Sequence, residues 1–332
     1  MDDGVRRQQT EVILSLEEKT KDALKSLLPS DKLWYPSQFL PDPSQEDYID
    51  KVKDFREQAK TVRSSILCVL VGNTLTEENL PAYMSWLNRL DKIKDETGDE
   101  TSTWAKWIRG WTAEEQRHGS LLSKYLMHHP NLDRLAFDKS VHSMITLGAN
   151  LHTGPYPYHM LVYTSFQERA TMISHKNTGI LAGKDGDKNL ELICQRIAGD
   201  EGRHEVFYSG MMKHVFSVDP TLGMLAYKDM MDRKITMPGE LMQNEKGEKV
   251  FPLFSAIAQL EGVYTAKHYA EMMDYFNTKW EIDKITGLSP EAQKAQEELM
   301  ALPARYSRLA ERAGRATQKI ITEYPWVKSA SN

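Results

Sequence analysis

Cysteine is almost missing from this chain, with two residues in 332, Cys68 and Cys194. Both stand in apolar helical context, Ile66-Leu67-Cys68-Val69-Leu70 and Leu192-Ile193-Cys194. They read as buried free thiols and not as a disulfide framework, which fits a reducing compartment. No apolar run reaches the roughly eighteen residues a membrane helix needs, so no transmembrane span is expected. Basic excess is missing too: the net charge of −5 excludes general nucleic-acid binding, which needs a basic surface. A local basic patch can still dock an acidic partner, since net charge does not fix local potential. The start, Met1-Asp2-Asp3-Gly4, has no basic stretch ahead of an apolar one, so no secretory signal is read there. It is acidic where a transit peptide is basic, and the expectation is that any targeting segment was removed or never existed. What remains is ordinary for a globular protein: 40% hydrophobic and 27% charged residues, enough to bury a large core in one domain or two.

The pattern is helical nearly throughout. From Glu46 to about Leu70 apolar residues recur at helical spacing, through Tyr48, Ile49, Val52, Phe55, Ala59, Val62 and Ile66. Gly72-Asn73 interrupts this run, and Thr76 is placed to cap a new segment from Glu77 to Leu90. Pro81 then either kinks a continuous helix beside Glu77 or sits in the first turn of a new one. Further helices are predicted over Ser102–Met127, Asp133–Leu147, Tyr158–Leu181, Asn189–Phe216, Pro220–Ile235, Phe254–Phe276 and Pro290–Ile321. Met237–Val250 reads as a loop or small hairpin. No composition shift marks a linker, so the expectation is one domain over 1–332. Within it, 1–45 is an N-terminal extension, 46–216 the central bundle and 217–332 additional helices.

Two copies of one pattern carry the chemistry, Glu114-Glu115-Gln116-Arg117-His118 and Asp200-Glu201-Gly202-Arg203-His204. Each sets a glutamate three residues before a histidine, so carboxylate and imidazole share one helix face. A lone pair of this kind is usually surface charge. Two copies, each with an acid before the glutamate and an arginine before the histidine, on helices otherwise apolar on one face, point to a metal. Inward carboxylates are costly to bury without a cation. Glu77 and Glu168 lie at comparable distances upstream of Glu115 and Glu201, completing the donor set of a carboxylate-bridged di-iron centre in a four-helix bundle. Four carboxylates and two imidazoles suit iron or manganese and not a cysteine-rich zinc site. The repeat occurs only twice, which suggests a pseudo-symmetric pair of helix hairpins and not a solenoid. Other candidates are weaker. Gly179 to Lys184 lacks the spacing and hydroxyl of a phosphate loop and reads as a helix stop. His128, His129, His142, His152, His159, His175, His214 and His268 have no ligand-like pairing and read as surface or core residues. The sixteen methionines read as packing.

These motifs resemble a known family. Trp111-Thr112-Ala113-Glu114-Glu115-Gln116-Arg117-His118-Gly119 is similar to the first iron box of the soluble acyl-[acyl-carrier-protein] desaturases, the stearoyl-carrier-protein desaturase family of plastids. Tyr163 to Thr171 and Asp200 to Glu205 look like its next two boxes, and Thr76 to Pro81 resembles its first ligand segment. The resemblance runs from about Leu33-Trp34 to the arginine-rich C-terminal helix. It implies an all-α, ferritin-like four-helix bundle with additional helices and a di-iron core. By position, Glu77 and His118 would hold one iron, Glu168 and His204 the other, and Glu115 and Glu201 would bridge. Each histidine needs an acceptor to fix its ring; the family pattern suggests Asp200 for His118, and the repeat's symmetry suggests Glu114 for His204. Thr171 matches a threonine on the oxygen side of the cluster, and Trp34 and Asp200 match residues of an inward electron relay. Trp34 reads equally as an aromatic packing anchor.

The activity implied is removal of two hydrogens from adjacent methylenes of a saturated acyl chain, using O2 and electrons from reduced ferredoxin, Δ9-type, in fatty acid biosynthesis. The partners implied are acyl carrier protein, ferredoxin and a second copy of the chain, in the plastid stroma. Candidate carrier contacts are Arg233, Lys234 and the row Arg305, Arg308, Arg312, Arg315, a row that reads equally well as a solvated helix face. Regioselectivity needs a narrow apolar tunnel, and the resemblance places Trp86, Leu90, Met160 and Leu161 along it. Trp86 and Met160 are larger than the usual family residues, which predicts a chain shorter than eighteen carbons or a moved bond. Pro252 stands where the family usually carries a charge. Two rival readings use the same donors. An iron-storage bundle predicts a shorter chain and leaves the last hundred residues or so unexplained, and a di-iron hydroxylase or N-oxygenase disagrees with the wording of the boxes.

Overall fold

In the computed structural model, residues 3–90, 93–236, 238–244, 246–316 and 324–328 are described. Thirteen α-helices are assigned among them: α1 (Asp3–Ser15), α2 (Glu17–Ala23), α3 (Tyr48–Lys60), α4 (Ser64–Glu78), α5 (Leu80–Leu87), α6 (Thr103–His128), α7 (Arg134–Leu147), α8 (Pro157–Asp185), α9 (Lys188–Val218), α10 (Pro220–Arg233), α11 (Phe251–Leu260), α12 (Ala266–Lys279) and α13 (Pro290–Ala316). The fold is an all-α, ferritin-like bundle. Helices α4, α6, α8 and α9 form its centre, with α8 and α9 the most extensively packed pair. No described helix is long and apolar enough to cross a membrane.

Helix α4 shows why the bundle assembles. From Ser65 to Glu77 every residue is buried, Ile66 to Val71 without interruption. A helix apolar all round belongs inside a protein, and each such Leu, Ile or Val contributes on the order of 1.5–3 kcal/mol by leaving water. The long helices start on side-chain caps: Ser102, Asp133, Asp187 and Asp219 each accept a backbone N–H of the first turn of α6, α7, α9 and α10. Helix α8 opens with Pro157 at its first position and stops at Gly186, whose φ of 115° is open to glycine at little cost. Cys68 and Cys194 are free and buried, as expected.

Several sequence-based boundaries move. The run from Glu46 to Leu70 is two helices, broken at Thr61–Arg63, because Arg63 turns extended and its guanidinium is held by Asp185 and Glu261. Gly72-Asn73 does not interrupt α4. A Cβ at Gly72 would stand 2.2 Å from the Phe254 ring, so the glycine is there to let α11 approach. Thr76 caps nothing; its hydroxyl donates to the Gly72 carbonyl within the helix. The chain turns at Asn79 instead, and Pro81 sits in the first turn of α5, where its missing N–H costs nothing. Phe254–Phe276 is also two helices, separated at Gly262 (φ 71°) and restarted by a Thr265–His268 capping box. Met237–Val250 holds a short 3-10 turn, Pro238–Leu241, and a bridge between Gln243 and Lys249. The predicted end of the last helix, beyond Ala316, lies outside the described residues.

Candidate metal centre

The i, i+3 spacing on α6 puts Glu115 and His118 on one buried stripe, and α9 does the same for Glu201 and His204. Glu77, near the end of α4, and Glu168, in α8, complete the group. Donor atoms of Glu77, Glu115, His118 and Glu201 all lie within 4.8 Å of one another, and so do those of Glu115, Glu168, Glu201 and His204. Glu115 and Glu201 belong to both sets. None of the six side chains belongs to a residue more than 7% exposed.

Four atoms of the donor cluster lack hydrogen-bond partners. His118 Nδ1, His204 Nδ1, Glu115 Oε1 and Glu201 Oε1 are buried and unsatisfied, although His118 Nδ1 stands 3.3 Å from oxygens of both Glu115 and Glu201 and His204 Nδ1 2.8 Å from Glu115 Oε1. Buried polar atoms are ordinarily satisfied, so this convergence of lone pairs calls for a cation. Four carboxylates and two imidazoles fit a pair of iron ions, and the two Glu/His clusters constitute a di-iron cofactor site.

The outer ends of the donors are held by a second ring of groups. His118 Nε2 lies 3.2 Å from Asp200 Oδ2, and His204 Nε2 lies 2.9 Å from Glu114 Oε2. Asp200 also accepts from Trp34 Nε1 (3.1 Å), Arg117 (3.3 Å) and Arg203 (2.7 Å). Glu114 accepts from the Leu28 amide (2.7 Å) and Arg203 (3.2 Å). The Trp34 ring stacks on His118 with centroids 6.0 Å apart, and the Arg117 guanidinium lies over the same Trp34 ring, 4.9 Å from its centroid. On Glu168 and Glu77, Trp111 Nε1 donates to Glu168 Oε1 (3.1 Å) and His175 Nε2 meets Glu77 Oε1 (2.8 Å). Thr171 Oγ1 lies 2.8 Å from Glu201 Oε2 and 3.0 Å from the Glu168 carbonyl.

Electrostatics follow from this crowding. Burial pushes the His118 and His204 pKa values down, but the carboxylates around them outweigh it and hold both well above the ordinary imidazole value. Burial drives Glu168 well above the usual carboxylate range. Glu77 moves the other way: burial raises it, yet hydrogen bonds from His118 and His175 hold it far below. Asp200 is also pulled down, against burial, by His118 and Arg203. With carboxylates this close together the cluster calls for positive charge, which bound metal ions would supply.

Two cavities flank the centre. A narrow one of about 40 Å³ is lined by Glu77, Glu115, Glu168 and Glu201 together with Trp86, Trp111, Tyr163 and Leu151. A larger one of about 290 Å³ lies between α8, α11 and α12 and is lined by Phe166, Phe254, Ala258, Tyr264, Tyr269 and Met272 among others. Gln167 borders both. Of the tunnel candidates, Trp86 stands on the narrow cavity's wall, while Leu90, Met160 and Leu161 are buried in the apolar cluster around it. Thr171 lines the same cavity; Trp34 and Asp200 lie on the opposite, imidazole side. His175, which has no ligand-like pairing in the sequence, is buried against Glu77. The available signal was its position two turns after Glu168, with Thr171 between them on the same face. Arg233 is spent on Asp229 and the His152 carbonyl, Lys234, Arg305 and Arg308 are exposed, and the side chains of Arg312 and Arg315 lie outside the described residues.

Comparison with known proteins places this geometry in context. The family described as "Fatty acid desaturase" matches residues 8–328. The chain is similar to stearoyl-[acyl-carrier-protein] 9-desaturase, chloroplastic, of Spinacia oleracea, 45% identical over 97% of this chain and 81% of that protein. It is similar to the protein of the same description from Ricinus communis, 44% identical over 96% and 81% of the two chains. It also resembles acyl-[acyl-carrier-protein] desaturase, chloroplastic, of Cucumis sativus, 43% identical over 96% and 81%. Among solved structures, DesA2 from Mycobacterium tuberculosis H37Rv shares the fold, with a TM-score of 0.57 at 17% identity, covering 86% of this chain and 99% of that one.

Proposed function

We propose a substrate path and a chain-length preference for a chain that belongs to the fatty acid desaturase family. It is a di-iron, oxygen-dependent oxidoreductase, an acyl-[acyl-carrier-protein] desaturase of fatty acid biosynthesis. Two hydrogens leave adjacent methylenes of a saturated acyl chain. Together with two protons and two electrons from reduced ferredoxin they convert one O2 to two waters, and a cis double bond remains. The irons, when bound, supply the oxygen activation that no side chain can. The protein's own residues place the chain, exclude water and hold protons.

The observation that carries this reading is a narrow cavity lined both by the four carboxylates of the donor cluster and by Trp86. The acyl chain enters through the larger apolar cavity, passes Gln167 and lies across the carboxylates with its methyl end toward Trp86. Thr171 holds a hydroxyl proton on the cavity side, beside Glu201. Trp34, Asp200 and His118 form a continuous contact from the N-terminal segment to the donor cluster and serve as the electron route. Acyl carrier protein, which is acidic, docks where exposed Lys234 leads into Ile235 and Thr236 at the larger cavity. The curated relatives are described as chloroplastic, so the plastid stroma is the compartment proposed, with a homodimer as the working assembly.

Trp86 on the cavity leaves little room beyond the carboxylates, and Met160 is buried in the apolar cluster that contains Trp86. The preference proposed is C16, or another chain shorter than C18, with Δ9-type placement. Turnover of C14, C16 and C18 carrier-protein substrates with reduced ferredoxin tests this, the double bond being located by mass spectrometry. Fastest turnover of C18 removes the chain-length reading. Absence of any double bond from iron-loaded protein removes the desaturase reading.

A further inference from the structure

We infer that Thr153 is a specificity-setting positioning residue, whose hydroxyl fixes the Trp86 ring across the closed end of the acyl site. The inference rests on the reading above, that the methyl end of the chain runs up against Trp86.

Trp86 Nε1 lies 2.9 Å from Thr153 Oγ1, and both residues are buried. An indole N–H can only donate, so the threonine oxygen accepts, and its own proton goes to the Gly154 carbonyl 3.0 Å away. The pair is therefore satisfied in one orientation only. Tyr163, also on the cavity wall, meets the Trp86 ring edge-on at 5.9 Å. Thr153 gets its position from the loop between α7 and α8, bent by positive φ at Gly148, His152 and Gly154. That loop is tied to α10, where Arg233 donates to the His152 carbonyl while gripping Asp229, and Asp229 in turn holds buried His159. The same loop supplies Leu151 to the cavity. A buried indole without a partner turns toward another acceptor or water, and turning this ring changes how far a chain can extend past the carboxylates.

Thr153→Val keeps the shape and removes the acceptor; Thr153→Ser keeps the acceptor. With C16 and C18 carrier-protein substrates, Thr153→Val is expected to move the C18:C16 turnover ratio toward C18 by roughly tenfold, the scale on which one methylene is discriminated. The ratio of Kd values for the same two substrates on iron-free protein should move in the same direction. Thr153→Ser should keep the parent ratios, which a merely structural role would not require. If Thr153→Val does not fold, Thr153→Ala carries the same expectation. If Trp86→Leu shifts both ratios and the Thr153 variants leave them unchanged, Thr153 has no such role and the reading of Trp86 stands. If Trp86→Leu itself changes nothing, the reading of the closed end falls and this inference with it.

Discussion

On one side of the donor cluster Glu77, Glu115, Glu168 and Glu201 open on a cavity walled by Trp86, Trp111, Tyr163 and Leu151, while on the other the far nitrogens of His118 and His204 reach Asp200 and Glu114. The cavity side carries apolar surface and single, neutral donors: the Trp111 indole and the Thr171 hydroxyl. The imidazole side carries full charges, with Arg117 and Arg203 crossing between the two acids. The difference matches what each side must do. Apart from the carboxylates that would hold the metals, an alkyl chain needs uncharged lining groups, since an unpaired charge there would be desolvated at high cost. An imidazole that must keep one nitrogen free for a metal needs its other nitrogen pinned by a strong acceptor.

The most severe way to break the arrangement is Glu115→Ala. Glu115 belongs to both donor sets, so its loss should take iron content from two per chain toward none, measured by elemental analysis. The metal-free fold should survive, because removing one of several crowded carboxylates relieves repulsion. A variant retaining both irons would show that the cluster is not shared in this way.

A buried imidazole without carboxylates sharpens the comparison. His129 is as inaccessible as His118 and His204, but burial there is unopposed by acids and lowers its pKa to about 4. Its folded pKa is below the unfolded value near 6.5, so its neutral form is the one the fold prefers. That contribution is complete above about pH 6.5 and is lost as pH falls toward 4, by about 3 kcal/mol in total. Urea unfolding of the parent and His129→Gln at pH 7 and pH 4.5 checks this, and the variant should lose less stability over that interval. Equal losses would mean the imidazole is not held neutral.

Next come Asp200→Asn and Glu114→Gln, on the charged side. Each should weaken iron binding by about 10–100-fold through the histidine it orients. Affinity for the acyl chain should stay as it was, since neither residue lines the cavity. Loss of acyl affinity in either variant would erase the distinction between the two sides.

How much of this was legible in the chain depends on how local each signal is. Glu115 with His118 and Glu201 with His204 are visible because three residues is less than one helical turn, and the repeat makes chance unlikely to produce both. Glu77 and Glu168 became visible through the same repeat. Asp200 followed from the family pattern and Glu114 from the symmetry of the repeat, and the two lie against His118 and His204. His175 was not legible as a neighbour of Glu77, because the two are 98 residues apart and meet only when α4 and α8 pack. Gly72 was misread for a similar reason. A glycine in a helix signals either a stop or a close approach, and the Phe254 ring that decides between them comes from α11. The resemblance placed Trp86 and Met160 together along a tunnel, but only assembly shows that Trp86 lines the cavity while Met160 is buried in the apolar cluster without lining it.

The smallest expected effect separates the two half-sites from each other. Trp111 Nε1 donates to Glu168 Oε1, whereas the equivalent carboxylate, Glu77, is met by an imidazole. Glu168 keeps its other oxygen 3.5 Å from His204 Nδ1, so losing the indole should loosen this carboxylate without releasing it. One hydrogen bond of about 1 kcal/mol corresponds to about fivefold in affinity. Trp111→Phe should therefore weaken one of the two irons by about that factor in a stepwise titration and leave the other unchanged. Glu168, held well above the usual carboxylate range mainly by burial, would have one donor fewer to stabilise its charge, so the weakened step should also shift to higher pH. Equal weakening of both steps would mean that Glu115 and Glu201, which belong to both donor sets, average the two positions, and that the difference between Trp111 and His175 does not reach the metals.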